Sequence, residues 1–196
     1  MSLVQIVSIT ILVLTIGAQL SLRSYLVRYR KHLLILSIFI ISLILIQQSH
    51  QVFVDWISSP PPGRFLAPPF KSISYFFYIS YRRFFAPYLL SLIIALISLV
   101  SILKSKKAMT KVFEKEEPYL ITLGIFLSPH PLWIVFITAT LALYLLYLLA
   151  YFIIRHRIDR LSFYYFWLPA AVITIFTKAY LISYVPWLKV LIFTSS

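Results

Sequence analysis

Carboxylates are the side chains of this 196-residue chain that could do acid–base chemistry. Five residues carry them, namely Asp55, Glu114, Glu116, Glu117 and Asp159. An aspartyl-type hydrolase needs two carboxyl groups that share a proton and activate a water molecule. The three glutamates lie in the segment 104–127, which also holds five of the lysines. If the chain is an enzyme, we expect its chemistry near this segment.

None of the possible carboxylate pairs is predicted to be a dyad. Glu116 and Glu117 are neighbours, and adjacent residues on a helix diverge by about 100°. Asp55 and Asp159 are predicted to lie on opposite sides of a membrane. The glutamates precede Pro118, and acids followed by proline are typical of a helix start. We therefore predict that Glu114, Glu116 and Glu117 form a solvated acidic cluster at a helix start. If the chain is catalytic, Glu116, Glu117 and Asp159 are the candidate acids.

Other catalytic and metal-binding groups have no recognisable spacing. The chain has no cysteine, and with three glycines it has no Gly-rich phosphate loop. No serine lies in a GxSxG or SxxK motif. The histidines show neither the His-x-x-x-His nor the Glu-x-x-His spacing of a metal site. The sequence predicts no metal site and no cofactor.

Composition places the chain in a membrane. It is 61% hydrophobic and 12% charged, with a mean hydropathy of +0.93, which exceeds what a soluble core of this length could bury. The apolar runs are continuous rather than alternating, which favours helices over a β-barrel. The net charge of +13 falls in clusters between apolar segments, so we expect contact with anionic lipid headgroups and not with nucleic acid.

We predict an all-α polytopic membrane protein, a single transmembrane domain over residues 1–196. About six spans are expected, at 3–20, 33–48, 88–103, 118–128, 132–154 and 162–177, with a last segment at 180–193. Basic loops at 22–32, 104–117 and 155–161 should be cytoplasmic, which places the N-terminus outside the cytoplasmic membrane.

An aromatic, proline-rich insertion separates the second and third predicted spans, at about 50–87. Tyrosines and phenylalanines crowd residues 75–88, and tyrosine prefers the headgroup level of a bilayer. We expect an interfacial helix here. A binding platform for the apolar segment of a partner is the alternative.

Three segments carry a resemblance to a known family. These are Ser21–Val27 after the first span, Phe113–Gly124 before the fourth, and Leu161–Leu168 at the start of the last. In order and spacing they resemble motifs of the type IV prepilin peptidases, intramembrane aspartyl proteases of the GxGD class that cleave leader peptides from prepilins. The resemblance covers most of the chain apart from the insertion.

The resemblance implies specific roles. Ser21 and Glu116 match the positions of the two catalytic aspartates, while Phe113 and Lys115 replace the glycines of GxGD. A serine and one glutamate cannot share a proton as two carboxylates do. The implied protein is a non-catalytic relative that binds a prepilin-like peptide or a membrane protein partner. The implied binding positions are Arg23, Gly124, Phe163 and Tyr164.

Two further functions are considered. One is an unrelated structural or assembly subunit of a membrane complex, and the other is an altered peptidase that uses Glu116 with a second acid. The membrane glycerol-3-phosphate acyltransferases are also similar in length, with a Leu-Gly-x-x-Leu segment. Their phosphate-binding loops are rich in glycine, so the three glycines of this chain argue against that family.

Overall fold

The computed structural model describes residues 2–61, 63–105, 113–155, 163–185, 188 and 191. Within these ranges every regular element is helical. The α-helices are α1 Leu3–Ser21, α2 Arg23–Ser58, α3 Ile73–Ser80, α4 Ala86–Lys104, α5 Glu117–Leu127, α6 Leu132–Arg155, α7 Trp167–Phe176 and α8 Lys178–Tyr184. Short 3₁₀ turns occupy Gly63–Leu66 and Phe163–Tyr165, and a π turn, Tyr81–Phe85, joins α3 to α4.

Four helical segments are long and apolar enough to cross a membrane. They are α1, α2, α6 and the continuous helix Ile73–Lys104. A fifth crossing is formed if Phe163–Phe176 and α8 act together, although the two are bent by 64°. The predicted all-helical fold is confirmed for the described residues, and these helices are compatible with the predicted membrane location.

Six spans are not confirmed, because α5 has 11 residues. A helix of that length measures about 16 Å, roughly half of a bilayer core of about 30 Å. The predicted loop at 22–32 is wrong as well. Only Leu22 interrupts the helices there, and α2 starts at Arg23. Arginine, lysine and leucine favour helix, and no glycine or proline occurs within α2.

The insertion is largely helical and forms extensions of two long helices. α2 continues to Ser58, and α3 runs through the π turn into α4, so a separate interfacial helix is not confirmed. Rings hold the extensions together, with the centroids of Phe53 and Phe76 4.9 Å apart. The π turn ends two residues before Pro87. Proline has no backbone N–H, so it cannot donate the helical hydrogen bond to the carbonyl four residues earlier, and the helix changes its hydrogen-bond pattern here.

Helix α5 lies at the centre of the bundle. It packs against α2, α4, α6 and α7, and each of its residues is buried. α1 lies against α2 and α7. A helix that is apolar on every side is stable only when other elements surround it. The position of α5 therefore follows from its sequence, and its N-terminal glutamates are carried toward the interior.

Gly124 allows α6 to approach α5. A Cβ atom built on Gly124 would lie 2.6 Å from Cζ of Phe136, whose ring is fully buried. Contacts this short force the neighbouring ring or backbone to shift. The glycine thus sets the spacing between α5 and α6.

Gly124→Ala should lower the free energy of unfolding by about 1–3 kcal/mol, as overpacked cores do. Gly17→Ala is the matched control, because a Cβ there meets nothing within 4 Å. That control should be neutral or stabilising by about 0.5–1 kcal/mol, since alanine favours helix over glycine. Denaturant titration in detergent micelles measures both. Equal effects at the two glycines would contradict the proposed spacing role, and Phe136→Leu should partly rescue Gly124→Ala.

Candidate functional site

An arginine joins the start of α2 to the start of α5. Arg23 Nε donates to Glu116 Oε1 at 2.9 Å, and its Nη2 lies 3.1 Å from Glu114 Oε2. The Glu116 side chain is 2% exposed, whereas that of Arg23 is 48% exposed. The guanidinium therefore neutralises a buried carboxylate from the solvent side.

Tyr164, in the 3₁₀ turn before α7, completes this cluster. Its ring lies beneath the Arg23 guanidinium, whose central carbon is 4.9 Å from the ring centroid, and the residue is buried. Gln19, near the end of α1, donates from Nε2 to the Tyr164 carbonyl at 2.7 Å. Contacts thus connect the end of α1, the start of α2, the residue before α5 and the 3₁₀ turn before α7.

Glu117 has a separate set of partners. Its Oε1 accepts a hydrogen bond from Trp167 Nε1 at 2.8 Å, and its Oε2 accepts one from the Glu114 backbone N–H at 2.9 Å. The residue is fully buried and lies outside the four candidate spans. Burial raises the pKa of the Glu117 carboxyl, and the two donors oppose this increase.

The predicted solvated acidic cluster is wrong for two of its three members. Glu116 is 1% exposed and Glu117 is 0% exposed. The cause is tertiary, because Arg23, Tyr164 and Trp167 cover the start of α5. Pro118 does lie in the first turn of α5, as predicted.

The two buried carboxylates face different groups. Glu116 is held by Arg23, whose guanidinium lies over the Tyr164 ring, and Glu117 is held by Trp167 and a backbone N–H. A proton-sharing dyad requires two carboxyl groups directed at each other. The arrangement is suited to fixing helix ends together, and the hydrogen bonds described for Glu116 and Glu117 go to separate donors.

The other predicted positions have varied surroundings. Ser21 is exposed at the end of α1, two residues before Arg23. Gly124 is buried under Phe136, and the Phe163 ring stacks on Tyr144 with centroids 3.7 Å apart. Asp159 lies outside the described residues. Of the predicted positions, the structure brings Arg23, Glu116 and Tyr164 together.

Sequence reasoning missed Gln19 and Trp167. Both carry polar atoms in apolar segments, where each N–H needs a partner. The need of each N–H for a hydrogen-bond acceptor is visible in the sequence, but the sequence does not identify which residue accepts. In the parts of the chain that are described, no three histidine, aspartate or glutamate side chains are grouped so as to hold a metal.

Comparison with protein-family models, with curated proteins and with solved structures finds no match to this chain. The function must therefore be argued from the site itself.

Arg23→Gln should lower the free energy of unfolding by about 1–3 kcal/mol, because it leaves the Glu116 carboxylate buried without its cation. Arg28→Gln is the matched control, since Arg28 is an exposed residue of the same helix. It should change stability by less than about 0.5 kcal/mol. Chemical unfolding in micelles compares them. Adding Glu116→Gln to Arg23→Gln should restore stability, and the absence of any such coupling would refute the ion pair's importance.

Glu117→Gln should become more stabilising, relative to the unchanged chain, as pH rises. Because burial raises the folded-state pKa, Glu117 favours folding below its unfolded value of 4.5, and this contribution is lost as pH rises through the folded-state pKa. Glutamine removes that dependence. Unfolding midpoints of both chains between about pH 4 and about pH 8 test this prediction. A difference that moves in the opposite direction would show that the two hydrogen bonds outweigh burial.

Proposed function

We propose that this chain is a non-catalytic multi-pass membrane protein that binds an apolar transmembrane segment of a partner. In this proposal it shares the helix arrangement of prepilin peptidases but does not cleave. The observation that carries the proposal is the ion pair between Arg23 and Glu116, 2.9 Å in length. It occupies the position where the family's chemistry would require a free acid.

The ion pair supports the loss of catalysis. General acid–base hydrolysis requires a carboxyl group that gains and loses a proton beside the substrate. Glu116 is instead buried beneath Arg23 and Tyr164, and the residue matching the first aspartate is Ser21. No second carboxylate among the described residues faces Glu116 in a proton-sharing arrangement.

The same contacts support the proposed kinship. The three segments that resemble peptidase motifs are far apart in the sequence, yet Arg23, Glu116 and Tyr164 each represent one of them. Aliphatic helices could have packed in other orders. Their meeting around one carboxylate is what a retained peptidase-like core would produce.

An aromatic groove supports binding of an apolar segment. It lies between α2 and the α3–π–α4 helix, encloses about 460 Å³ and has an almost wholly apolar lining. Phe53, Phe76, Phe77 and Phe85 contribute rings. Aromatic rings in a groove supply large contact areas at small entropic cost, which suits recognition of another helix.

The orientation is part of the proposal. Arg23 starts α2 and Lys104 ends α4, and both lie at the end of the bundle that holds the acidic cluster. The basic segments 104–117 and 155–161 are adjacent in sequence to helix ends on the same side. The positive-inside rule then places the cluster at the cytoplasmic face of the cell membrane, with the N-terminus outside. Helix α5 would enter the bilayer to about half its depth.

A structural or assembly subunit is the second candidate. The observation that favours it is the complete burial of Glu117 and the near-complete burial of Glu116, since the chain's own side chains fill the cluster. An altered peptidase is the third candidate, and it requires Asp159 as the second acid.

Photo-crosslinking to a synthetic peptide with a prepilin-type leader, having an apolar segment of about 20 residues, tests the proposal. The purified chain in liposomes would carry the photo-reactive residue at position 77 in the groove, or at position 153 on α6 as the control. Phe77 and Ile153 are matched in exposure at 62% and 63%. We expect crosslinks from position 77 well above those from 153, with the peptide recovered intact by mass spectrometry.

The outcomes separate the candidates. A cleaved peptide would establish an active peptidase, and loss of cleavage in Glu116→Gln would assign the acid. Equal or absent crosslinking at both positions would remove segment binding and leave the structural subunit.

A further inference from the structure

A basic cavity lies at the end of the bundle opposite the acidic cluster. It encloses about 600 Å³ and is bordered by the starts of α1, α4, α6 and α8. Arg82, Arg83, Gln48 and Lys178 line it together with His130. These residues come from four separate parts of the chain, so the fold alone assembles the cavity.

We propose that this cavity binds the headgroup phosphate of an anionic membrane phospholipid, one without a balancing cation in its headgroup, whose acyl chain lies in the adjoining apolar groove. The proposal does not depend on the peptidase resemblance or on partner binding. It rests on the charge of the cavity and on its continuity with a hydrophobic channel.

Three cations give the cavity its charge. Arg82, Arg83 and Lys178 line it, and no carboxylate does. None of the three forms a salt bridge with another described residue. Arg82 donates one hydrogen bond, from Nη1 to the Tyr78 hydroxyl at 3.2 Å, and a guanidinium has five N–H groups. Arg82 and Lys178 are partly buried and Arg83 is exposed. Cations without carboxylates beside them are suited to a phosphate, which accepts charge-assisted hydrogen bonds.

His130 has a structural role in this cavity. Its Nδ1 accepts from Trp133 Nε1 at 3.2 Å, and its backbone N–H donates to the Pro87 carbonyl at 3.2 Å. Its ring also forms a hydrogen bond with the Leu191 backbone. Burial lowers the pKa of the His130 imidazole, so the ring is neutral near pH 7. The positive charge comes from the arginines and the lysine.

The adjoining groove argues for a lipid over a small anion. It encloses about 230 Å³ and shares Leu45 and Tyr88 with the basic cavity. From there it follows α2 to Ile38 and α4 to Leu92. Leu45 and Ile38 are seven residues apart on α2, so the groove is about 10 Å long. It runs from the basic cavity toward the middle of the bilayer. A polar head and an apolar tail would thus both find matching surfaces.

Native mass spectrometry of the full chain in detergent tests the proposal, with three probes at equal concentration. The probes are phosphatidylglycerol, phosphatidylcholine with the same chains, and glycerol phosphate without chains. We expect one phosphatidylglycerol to be retained, about tenfold more tightly than either other probe, since one charge-assisted contact corresponds to roughly that factor. Equal retention of phosphatidylcholine would overturn the headgroup assignment. Equal retention of glycerol phosphate would overturn the lipid.

Two variants on different helices test the lining residues. Arg82→Gln and Lys178→Gln should each weaken phosphatidylglycerol retention by about tenfold. Arg64→Gln is the matched control, because Arg64 is a basic residue of the nearby 3₁₀ turn that does not line the cavity. Lipid-free unfolding midpoints verify that each variant is folded. Unchanged retention in both lining variants, or an equal loss in Arg64→Gln, would overturn the proposal.

Discussion

Glu116 is a carboxylate with almost no exposure, and a buried charge is tolerated only when an opposite charge and hydrogen bonds accompany it. Arg23 supplies both the charge and a hydrogen bond from the first residue of α2, and Tyr164 supplies a ring beneath the guanidinium from the turn before α7. This requirement fixes the relative positions of three helices. The one-residue break at Leu22 matters for the same reason, because it lets α2 begin where Arg23 can reach the acid.

The second constraint is the length of α5. A helix of eleven residues cannot cross a bilayer, yet all of its residues are buried, so the surrounding helices must enclose it. Gly124 brings the Phe136 ring against the middle of α5, and that ring in turn lies 6.1 Å from the Trp167 ring. Trp167 then donates to Glu117. Packing at the centre of α5 and the polar contacts at its start are therefore one connected structure.

The two ends of the bundle differ in chemistry. At one end Arg23 pairs with Glu114 and Glu116 while Trp167 donates to Glu117, which leaves a closed cluster suited to holding helices together. At the other end cations line an open cavity beside an apolar groove. A bound phosphate would balance that charge in the way Arg23 balances Glu116. The aromatic extension of α2 and α3 adds a separate apolar groove on the same side.

The sequence by itself determined the class of the protein, because hydropathy depends on local composition. It also determined the breaks at residues 128–131 and near Lys178, where proline and charge interrupt apolar runs. It predicted the bounds of α6 within one residue. It placed a loop where α2 begins, because basic residues occur as readily in solvent-exposed loops as in helices. Only the tertiary structure decided that Glu116 and Glu117 are buried. The partners that bury them are far away in sequence, and local spacing carries no information about which distant side chain will cover an acid.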